Sequence, residues 1–473
     1  MQVDMAQPGE LTMRRMASPL AAWAISFGCT IGWGAFVMPG TTFLPKAGPL
    51  GTAIAFVFGS IAMLVVAINY GYMARRCKGD GGVYSYAHET FGPNQAFICS
   101  WCLVLAYGAS LVANSTALAL VLRNIVGPLL QVGPHYAIAG YEVYMGEALS
   151  GVLATVLAGY VCMRSSRLNA IIETVLALGM AAGTLAIIAI ALRDGRVNAV
   201  SVTPLFSPSS SPLAGTMAVV ASVPWAYIGF ETVTQMSGEC AFDRSKFSRI
   251  MIAAIACGTV MYLVINTVAA AFAPQGYSGW VDYVADLDNL KRQGIVELPT
   301  FYAGYQMAGR LGVLVFGVTA LCSVLTGVIG FYVVNTRLIY AMALDGALPK
   351  RFARLHASYR TPVVATLAVL LGTFALPFLG RNVLNWVIDL MSLGALIAYT
   401  YTSMGVVRHA RAEENRLMSV MGMLGVALSM VCIALLIVPI PGLDTSLSRE
   451  SYVILLAWIA LGVNFFTPTI MRS

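Results

Sequence analysis

Long runs of apolar residues fill most of the chain, separated by short polar segments that carry prolines, glycines and charges. A helix of about 20 apolar residues is long enough to cross the hydrocarbon core of a bilayer. The pattern therefore predicts twelve membrane-spanning helices, numbered here as spans 1 to 12. They cover residues 20–43, 49–74, 95–121, 147–163, 168–192, 214–238, 249–273, 309–343, 362–379, 384–407, 418–440 and 451–470.

The composition limits the class of protein. Hydrophobic residues occupy 58% of the 473 positions and charged residues only 10%, with a mean hydropathy of +0.78. A soluble domain carries about 25% charged residues, so this chain cannot cover a water-exposed surface of its size. A cytosolic enzyme, a disordered chain and a nucleic-acid-binding protein are excluded. Since helices satisfy their own backbone N–H and C=O groups in lipid, an all-α polytopic membrane protein is predicted.

The positions of the 28 lysines and arginines predict the orientation. With a cytoplasmic N-terminus, nineteen of these cations fall on the cytoplasmic side and nine on the outside. Cytoplasmic loops of multi-pass proteins carry such an excess. We therefore expect a multi-pass protein of the cell membrane with both termini in the cytoplasm. The net charge of +7 then reflects topology and contact with anionic lipids, with no nucleic-acid partner.

Several functional classes lack their sequence signatures. The chain contains no Gly-Lys pair, which a glycine-rich ATP-binding loop requires. Its four histidines all fall in loops or at helix ends, unlike the paired histidines that bind haem within a membrane. The longest loop, roughly 274–308, is acidic and too short for an enzymatic domain, so we expect it to cap the outer face. The remaining class is a secondary transporter, not an enzyme, with no cofactor and no metal.

Span 1 contains three glycines in seven residues, Gly28, Gly32 and Gly34, followed by Pro39 and Gly40. Each glycine costs about 1 kcal/mol in a helix relative to alanine. Close helix packing accounts for the Gly28/Gly32 spacing but not for the third glycine. The segment therefore predicts a local unwinding around residues 30–34. Backbone groups freed in the bilayer need partners, which a zwitterionic or cationic ligand supplies.

Span 6 combines Pro224, Gly229 and Glu231 in an otherwise apolar segment. If spans 1–5 and 6–10 are two inverted halves, spans 1 and 6 occupy corresponding positions. A pair of glycine- or proline-interrupted helices in matching positions indicates a binding site near the bilayer midplane. A channel or a transporter-like receptor that binds the same ligand without coupled flux is the alternative.

Five segments occur in an order that is typical of one transporter superfamily. They are residues 28–36, which read G-x-x-I-G-x-G-x-F, residues 81–93, residues 225–231, residues 335–349 and residues 392–399. Through these segments most of spans 1–10 resembles the amino acid–polyamine–organocation (APC) superfamily. Residues 392–399 are similar in particular to its cationic amino acid branch.

The resemblance implies twelve helices, a five-plus-five inverted repeat with spans 1 and 6 broken, and transport by alternating access. The expected organisation is a cytoplasmic tail (1–19), a ten-helix transport core (20–407, with repeats at about 20–193 and 214–407) and two additional helices with a short cytoplasmic C-terminus (408–473). The expected function is proton-coupled symport or exchange of amino acids or related amines.

The resemblance also implies the substrate site. A substrate carboxylate would meet backbone N–H groups at the start of the second half of span 1, where the helix dipole is positive. The ammonium group would meet carbonyls at the end of the other half-helix, and Trp225 would cover the ligand or present a cation–π face. The other interpretation of Trp225 is an aromatic residue that fills space beside a proline kink. The candidate binding residues are Thr30, Ile31, Gly32, Trp33, Gly34, Trp225, Ile228 and Gly229.

Three carboxylates fall within predicted spans, where each costs about 2.5–3.5 kcal/mol at the bilayer centre. Glu231 lies beside the break in span 6, at a position that acts as a proton-responsive gate in the exchangers that the chain resembles. We therefore expect its protonation to couple to transport. Asp389 either binds a cationic side chain or faces interfacial water. Glu173 either pairs with Arg167 at the water boundary or takes part in coupling. The candidate coupling or gating residues are Glu231, Tyr399 and Asp389.

Many proton- or exchange-coupled members of the superfamily carry a lysine in span 5 that bridges to span 1. The corresponding position here is Leu176, and no Lys or Arg occurs between Arg167 and Arg193, so a lysine-tethered mechanism is not expected. Sodium coupling is the alternative, with carbonyls of span 1 and the hydroxyls of Ser323 and Thr326 as ligands. The competing interpretation is that these hydroxyls bond to their own helix.

Overall fold

The computed structural model describes residues 12–138, 141–164, 166–198, 200–274, 276–292, 298–380, 383–438 and 446–470. Within these residues ten helical segments are long and apolar enough to cross a membrane. The first of them, Pro19–Arg76, contains both span 1 and span 2, and the shorter apolar segment Val363–Leu379 corresponds to span 9. All twelve predicted spans therefore coincide with helices, and the polytopic all-α fold is confirmed.

Spans 1 to 12 correspond in order to α1–α2, α3, α5, α6, α7, α8–α9, α10, α13, α14, α15, α16 and α17. The remaining helices are short and lie between the spans. The helices are α1 (Pro19–Ile31), α2 (Gly34–Met38), α3 (Leu44–Arg76), α4 (Val83–Phe91), α5 (Pro93–Val126), α6 (Met145–Arg164), α7 (Ser166–Asp194), α8 (Pro212–Tyr227), α9 (Thr232–Gln235), α10 (Phe247–Ala271), α11 (Trp280–Ala285), α12 (Leu287–Arg292), α13 (Pro299–Leu344), α14 (Val363–Thr373), α15 (Val383–Ala412), α16 (Arg416–Ile437) and α17 (Arg449–Ile470).

Two features outside the spans were not predicted. Strands β1 (His135–Ile138) and β2 (Tyr141–Tyr144) form an antiparallel hairpin between α5 and α6. The helix α13 begins ten residues before the predicted span 8 and bends at Gly309, whose φ of +58° favours glycine. The position predicted as the start of span 8 is therefore the bend within α13, and the helix itself begins earlier. Helices α11 and α12 occupy the acidic loop that was expected to cap the outer face.

The helices α5 and α13 lie at the centre of the bundle, whereas α17 lies at its edge. A reciprocal contact between Trp101 of α5 and Trp458 of α17 attaches α17 to α5. Each indole N–H donates to the other residue's carbonyl, at 3.1 Å from Trp101 and 3.0 Å from Trp458. Their rings stack with centroids 4.4 Å apart. This pair fixes both the position and the rotation of α17.

A buried ion pair connects the segment after span 6 to α13. The Nε of Arg337 donates to Oε1 of Glu239 at 2.5 Å, and neither side chain is more than 2% exposed. Nearby, Arg244 pairs with Asp80 at 2.5 Å on a more exposed surface. Both pairs lie at the same end of the bundle, where they hold α13 and the segments after spans 2 and 6 together.

Candidate functional site

The first interruption lies where the glycines of span 1 predict it. Helix α1 ends at Ile31, and Gly32 adopts φ +48° and ψ −145°, a conformation that side-chain-bearing residues rarely take. The Gly32 amide closes α1 by donating to the Gly28 carbonyl at 3.1 Å, and α2 begins two residues later at Gly34. Since the first N–H groups of a helix have no acceptor within it, the break places backbone donors at the start of α2.

The second interruption lies in span 6. Helix α8 ends at Tyr227, Gly229 has φ +116°, and the short helix α9 begins at Thr232. The Phe230 amide donates to the Tyr227 carbonyl at 3.3 Å, and the Thr232 amide donates to the Gly229 carbonyl at 3.1 Å. The regular helical bonding is therefore replaced by tight turns over residues 228–231. Both broken helices of the predicted fold are confirmed.

The two breaks are in direct contact. A Cβ on Gly229 would lie 2.4 Å from the Cβ of Cys29, and a Cβ on Gly34 would lie 2.5 Å from the ring of Trp225. The rings of Trp33 and Trp225 meet edge to face with centroids 5.5 Å apart, and both residues are buried. In this conformation Trp225 covers the start of α2, so a ligand that approaches those N–H groups has to displace it.

Glu231 is fully buried between three elements. Its Oε2 accepts from the Gly229 amide at 3.0 Å and from the Tyr399 hydroxyl of α15 at 3.3 Å. Its Oε1 accepts from the Tyr107 hydroxyl of α5 at 3.0 Å. Three donors thus replace the water that the carboxylate has lost. The sequence prediction grouped Glu231 with Tyr399, and the structure adds Tyr107.

Two further residues at the break in span 1 were missed by the sequence analysis. Asn114 of α5 lies against Gly32, since a Cβ there would be 2.9 Å from its Oδ1, and that oxygen has no hydrogen-bond partner among the described residues. Tyr262 of α10 donates to the Ile31 carbonyl at 3.3 Å. An asparagine inside an apolar span is a signal that could have found Asn114.

The side-chain hydroxyls proposed to bind sodium or substrate donate to different partners. Ser323 of α13 donates to the Gly32 carbonyl at the break. Thr326 donates to carbonyls of its own helix, those of Cys322 at 2.9 Å and Ser323 at 2.8 Å. Thr30 likewise donates to the Ser26 carbonyl of α1 at 2.7 Å. Of the two residues considered for sodium, only Ser323 makes a recorded bond to the break.

Asp389 of α15 makes its recorded hydrogen bonds at the start of α17. Its Oδ2 accepts from the Ser448 amide at 2.9 Å and from the Ser451 hydroxyl at 2.7 Å. The carboxylate is half-buried and also interacts electrostatically with Lys46. The hydrogen bonds attach α17 to α15, and both sequence-based interpretations of Asp389 stay predictions.

Of the two alternatives for Glu173, the pairing with Arg167 is wrong. Glu173 is fully buried, whereas Arg167 is exposed, and neither carboxylate oxygen of Glu173 has a hydrogen-bond partner within the described residues. Residues six positions apart point about 120° away from each other around a helix, so the two side chains face different sides of α7. Leu176, the position expected to replace the lysine, is half-buried and packs against the core.

Comparison with known proteins identifies the family. The model of the amino acid permease family matches residues 18–463, almost the whole chain. The chain belongs to the amino acid permease family. This result confirms the resemblance to the APC superfamily and the prediction of a membrane transport protein that is not an enzyme.

Relatives of this permease carry different names. A methylthioribose transporter of Bacillus subtilis is 27% identical over 85% of this chain and 82% of its own length. The branched-chain amino acid permease BcaP of the same organism is 26% identical over 85% of this chain and 82% of its own length. A vacuolar cationic amino acid transporter of Arabidopsis thaliana is 27% identical over 84% of this chain but 60% of its own length.

Proposed function

We propose that this permease is a secondary active transporter that carries amino acids or related amines across the cell membrane, with both termini in the cytoplasm. It would work by alternating access, as a proton-coupled symporter or an exchanger. The observation that carries the proposal is the contact between two broken helices with the buried Glu231 beside it. A small ligand with both charges matches the backbone donors and acceptors that such breaks leave in the bilayer.

In the proposed bound state, the substrate carboxylate accepts from the N–H groups of Trp33 and Gly34, and from that of Gly32 once its bond to the Gly28 carbonyl opens. The ammonium group then meets carbonyls of the residues that end α1 and α8. Trp225 moves off the start of α2 and covers the ligand. The space for this movement is narrow, because the Trp225 ring lies against Gly34. The carbonyl acceptors would come from Thr30, Ile31, Trp225 and Ile228, with Gly229 at the turn.

Coupling is assigned to Glu231 and Tyr399. Protonation of Glu231 would remove the charge that three donors surround and would weaken its links to α5 and α15. Asp389 is proposed to take part in gating through α17, since its carboxylate accepts hydrogen bonds from Ser448 and Ser451 at the start of that helix. Sodium binding by Ser323 and Thr326 is the alternative mechanism, supported by the bond from Ser323 to the Gly32 carbonyl.

Uptake into proteoliposomes tests the proposal. The panel contains radiolabelled arginine, lysine, leucine, valine, putrescine and methylthioribose, because the relatives' names point to cationic amino acids, branched-chain amino acids and methylthioribose. We expect at least one amino acid or amine to accumulate under an inward proton gradient or in exchange for internal substrate. Replacement of sodium by choline should leave uptake unchanged.

Three outcomes contradict parts of the proposal. Uptake of methylthioribose with no response to any amino acid or amine refutes the substrate class. Downhill leak with ligand-gated current and no accumulation indicates a channel. Uptake that requires sodium refutes proton coupling. The Glu231→Gln variant should bind the substrate but lose the pH dependence of uptake, and Glu450→Gln, an exposed glutamate at the start of α17, serves as the matched control.

A further inference from the structure

Glu173 on α7 is a buried carboxyl group that the proposed mechanism does not use. Its side chain has no solvent exposure, and both carboxylate oxygens lack a hydrogen-bond partner in the part of the chain that the structure describes. Glu231 is equally buried but accepts three hydrogen bonds. The two acids therefore lie in opposite environments, one rich in donors and one without a recorded donor.

The surroundings of Glu173 connect it to the break in span 1. A Cβ on Gly330 of α13 would lie 2.3 Å from Sγ of Cys29 and 3.7 Å from Oε1 of Glu173, so the thiol and the carboxyl group converge on this glycine. Cys29 in turn packs against Gly229 at the break in span 6. Helix α1 thus lies between Glu173 on one side and the turn that holds Glu231 on the other.

Few charged groups face Glu173 from the elements around it. The thiols of Cys29 and Cys162 interact with it electrostatically, and Arg337, a cation that lies near Cys162, is already paired with Glu239. Asn169, one turn earlier on α7, is also buried, and its side chain lies against the Cys162 thiol. Titratable groups on the elements packed against α7 include Cys29 on α1, Cys162 on α6, Cys257 and Tyr262 on α10, and Cys322, Tyr332 and Arg337 on α13. Glu231 lies beyond Cys29.

An ionised carboxylate with neither a donor nor a counter-charge is too costly to persist in such an interior, so the group takes up a proton instead. Glu173 lies about seven residues, or about 10 Å, from the start of α7. The cation bias places this end of α7 at the cytoplasmic side. Separation of α1 from α7 would therefore bring water from the cytoplasm to the carboxyl group.

We propose that Glu173 is a second proton-binding site of this permease, loaded while α1 packs against α7 and emptied when that contact opens. On opening, the O–H bond of the carboxyl group breaks, the proton passes to water on the cytoplasmic side, and the carboxylate becomes hydrated. The role in transport rests on the proposed proton coupling, whereas the presence of the proton does not depend on it.

Infrared difference spectroscopy of the purified full-length protein tests the presence of the proton. The carbonyl stretch of a protonated carboxyl group should be present at neutral pH in the wild type and missing in Glu173→Gln. The control Glu450→Gln should match the wild type. If the wild-type and Glu173→Gln spectra do not differ in this region, Glu173 is ionised and the proposal is wrong.

Two further measurements separate the remaining explanations. If the band is lost when sodium chloride replaces choline chloride, sodium competes with the proton for the carboxylate of Glu173. This result would overturn the proposal that Glu173 is a proton-binding site. If Glu173→Gln does not fold, Glu173→Asp replaces it, because this variant keeps the acid on a shorter side chain and should shift the band. A band unchanged in Glu173→Asp belongs to another group, and the proposal fails.

Uptake measurements connect the site to transport. With any panel substrate that is accumulated, Glu173→Gln should flatten the pH dependence of uptake and retain binding of that substrate. Uptake with wild-type pH dependence in Glu173→Gln overturns the coupling role. If no panel substrate is accumulated by the wild type, the proposed function fails while the infrared result still decides whether Glu173 holds a proton.

Discussion

The hydroxyl of Tyr107 on α5 donates a hydrogen bond of 3.0 Å to Oε1 of Glu231, beside the break in span 6. Both residues are fully buried and lie 124 positions apart in the chain. The bond connects the centre of the bundle to the broken helix. Its strength therefore affects both the stability of the fold and the mobility of the break.

Replacing Tyr107 by Phe tests this bond. The change removes one donor from a buried carboxylate and keeps the ring, so we expect a loss of about 1.5–3 kcal/mol in the free energy of unfolding. Denaturant unfolding in detergent measures it. In a Glu231→Gln background the loss should be smaller, since the acceptor no longer carries a charge. Tyr452→Phe, at a half-exposed tyrosine of α17, is the control, and an equal loss in both variants would contradict the assignment.

Gly34→Ala tests the close contact of the two breaks. The new Cβ would lie 2.5 Å from the Trp225 ring, which has to shift. We expect the rate of substrate uptake to fall at least tenfold, which corresponds to a rise of about 1.4 kcal/mol in the activation free energy. The rate should recover partly in the double variant Gly34→Ala/Trp225→Phe. Gly372→Ala in α14, where a Cβ would meet nothing within 4 Å, should transport normally. Wild-type uptake by Gly34→Ala would refute a functional contact.

The buried pair of Arg337 and Glu239 predicts a large loss of stability in Glu239→Gln. This variant leaves the guanidinium buried without a counter-charge, which costs about 3–5 kcal/mol. Replacing both residues, as in Arg337→Met/Glu239→Leu, should restore much of the unfolding temperature in detergent. The control is Arg15→Ala, whose pair with Asp80 is exposed and should contribute about 1 kcal/mol or less. Equal effects of the two single variants would contradict the role of burial.

The predicted orientation can be measured on intact cells with a membrane-impermeant maleimide. Ser278, before α11, and Ser358, between α13 and α14, are both exposed. We expect Ser278→Cys to react from outside and Ser358→Cys to react only after the membrane is permeabilised. The nine native cysteines are buried or half-buried, so their background labelling should be low. The reverse pattern would place the termini outside.

Glycine and proline spacing was enough to predict where the two helices break. Gly32 and Gly229 adopt positive φ values in the segments that the sequence marked as interrupted. A polar residue in an apolar span marks Asn114 as a candidate, but the sequence could not predict that Asn114 and Tyr107 approach these particular breaks. Helix α5 is apolar on all sides and largely buried, so its pattern does not indicate which face meets which neighbour.

The sequence also could not predict side-chain contacts between residues that lie far apart in the chain. Arg337 was placed at the end of span 8, but its counter-charge Glu239 comes from a segment 98 positions earlier. For Glu173, the alternative of a pair with Arg167 at the water boundary relied on proximity along the chain, which is not proximity in space. Counting residues around the helix would have separated them. Contacts between helices depend on rotation and packing, which periodicity alone defines poorly in an all-apolar span.

The reciprocal tryptophan contact has a consequence for shortened forms of this protein. Trp101 and Trp458 each supply the acceptor for the other's indole N–H. A chain that stopped before α17 would leave the Trp101 indole facing lipid tails that offer it no acceptor. Helix α17 therefore shields the indole of Trp101 from lipid, which makes this helix a poor place to truncate the chain or to attach a fusion partner.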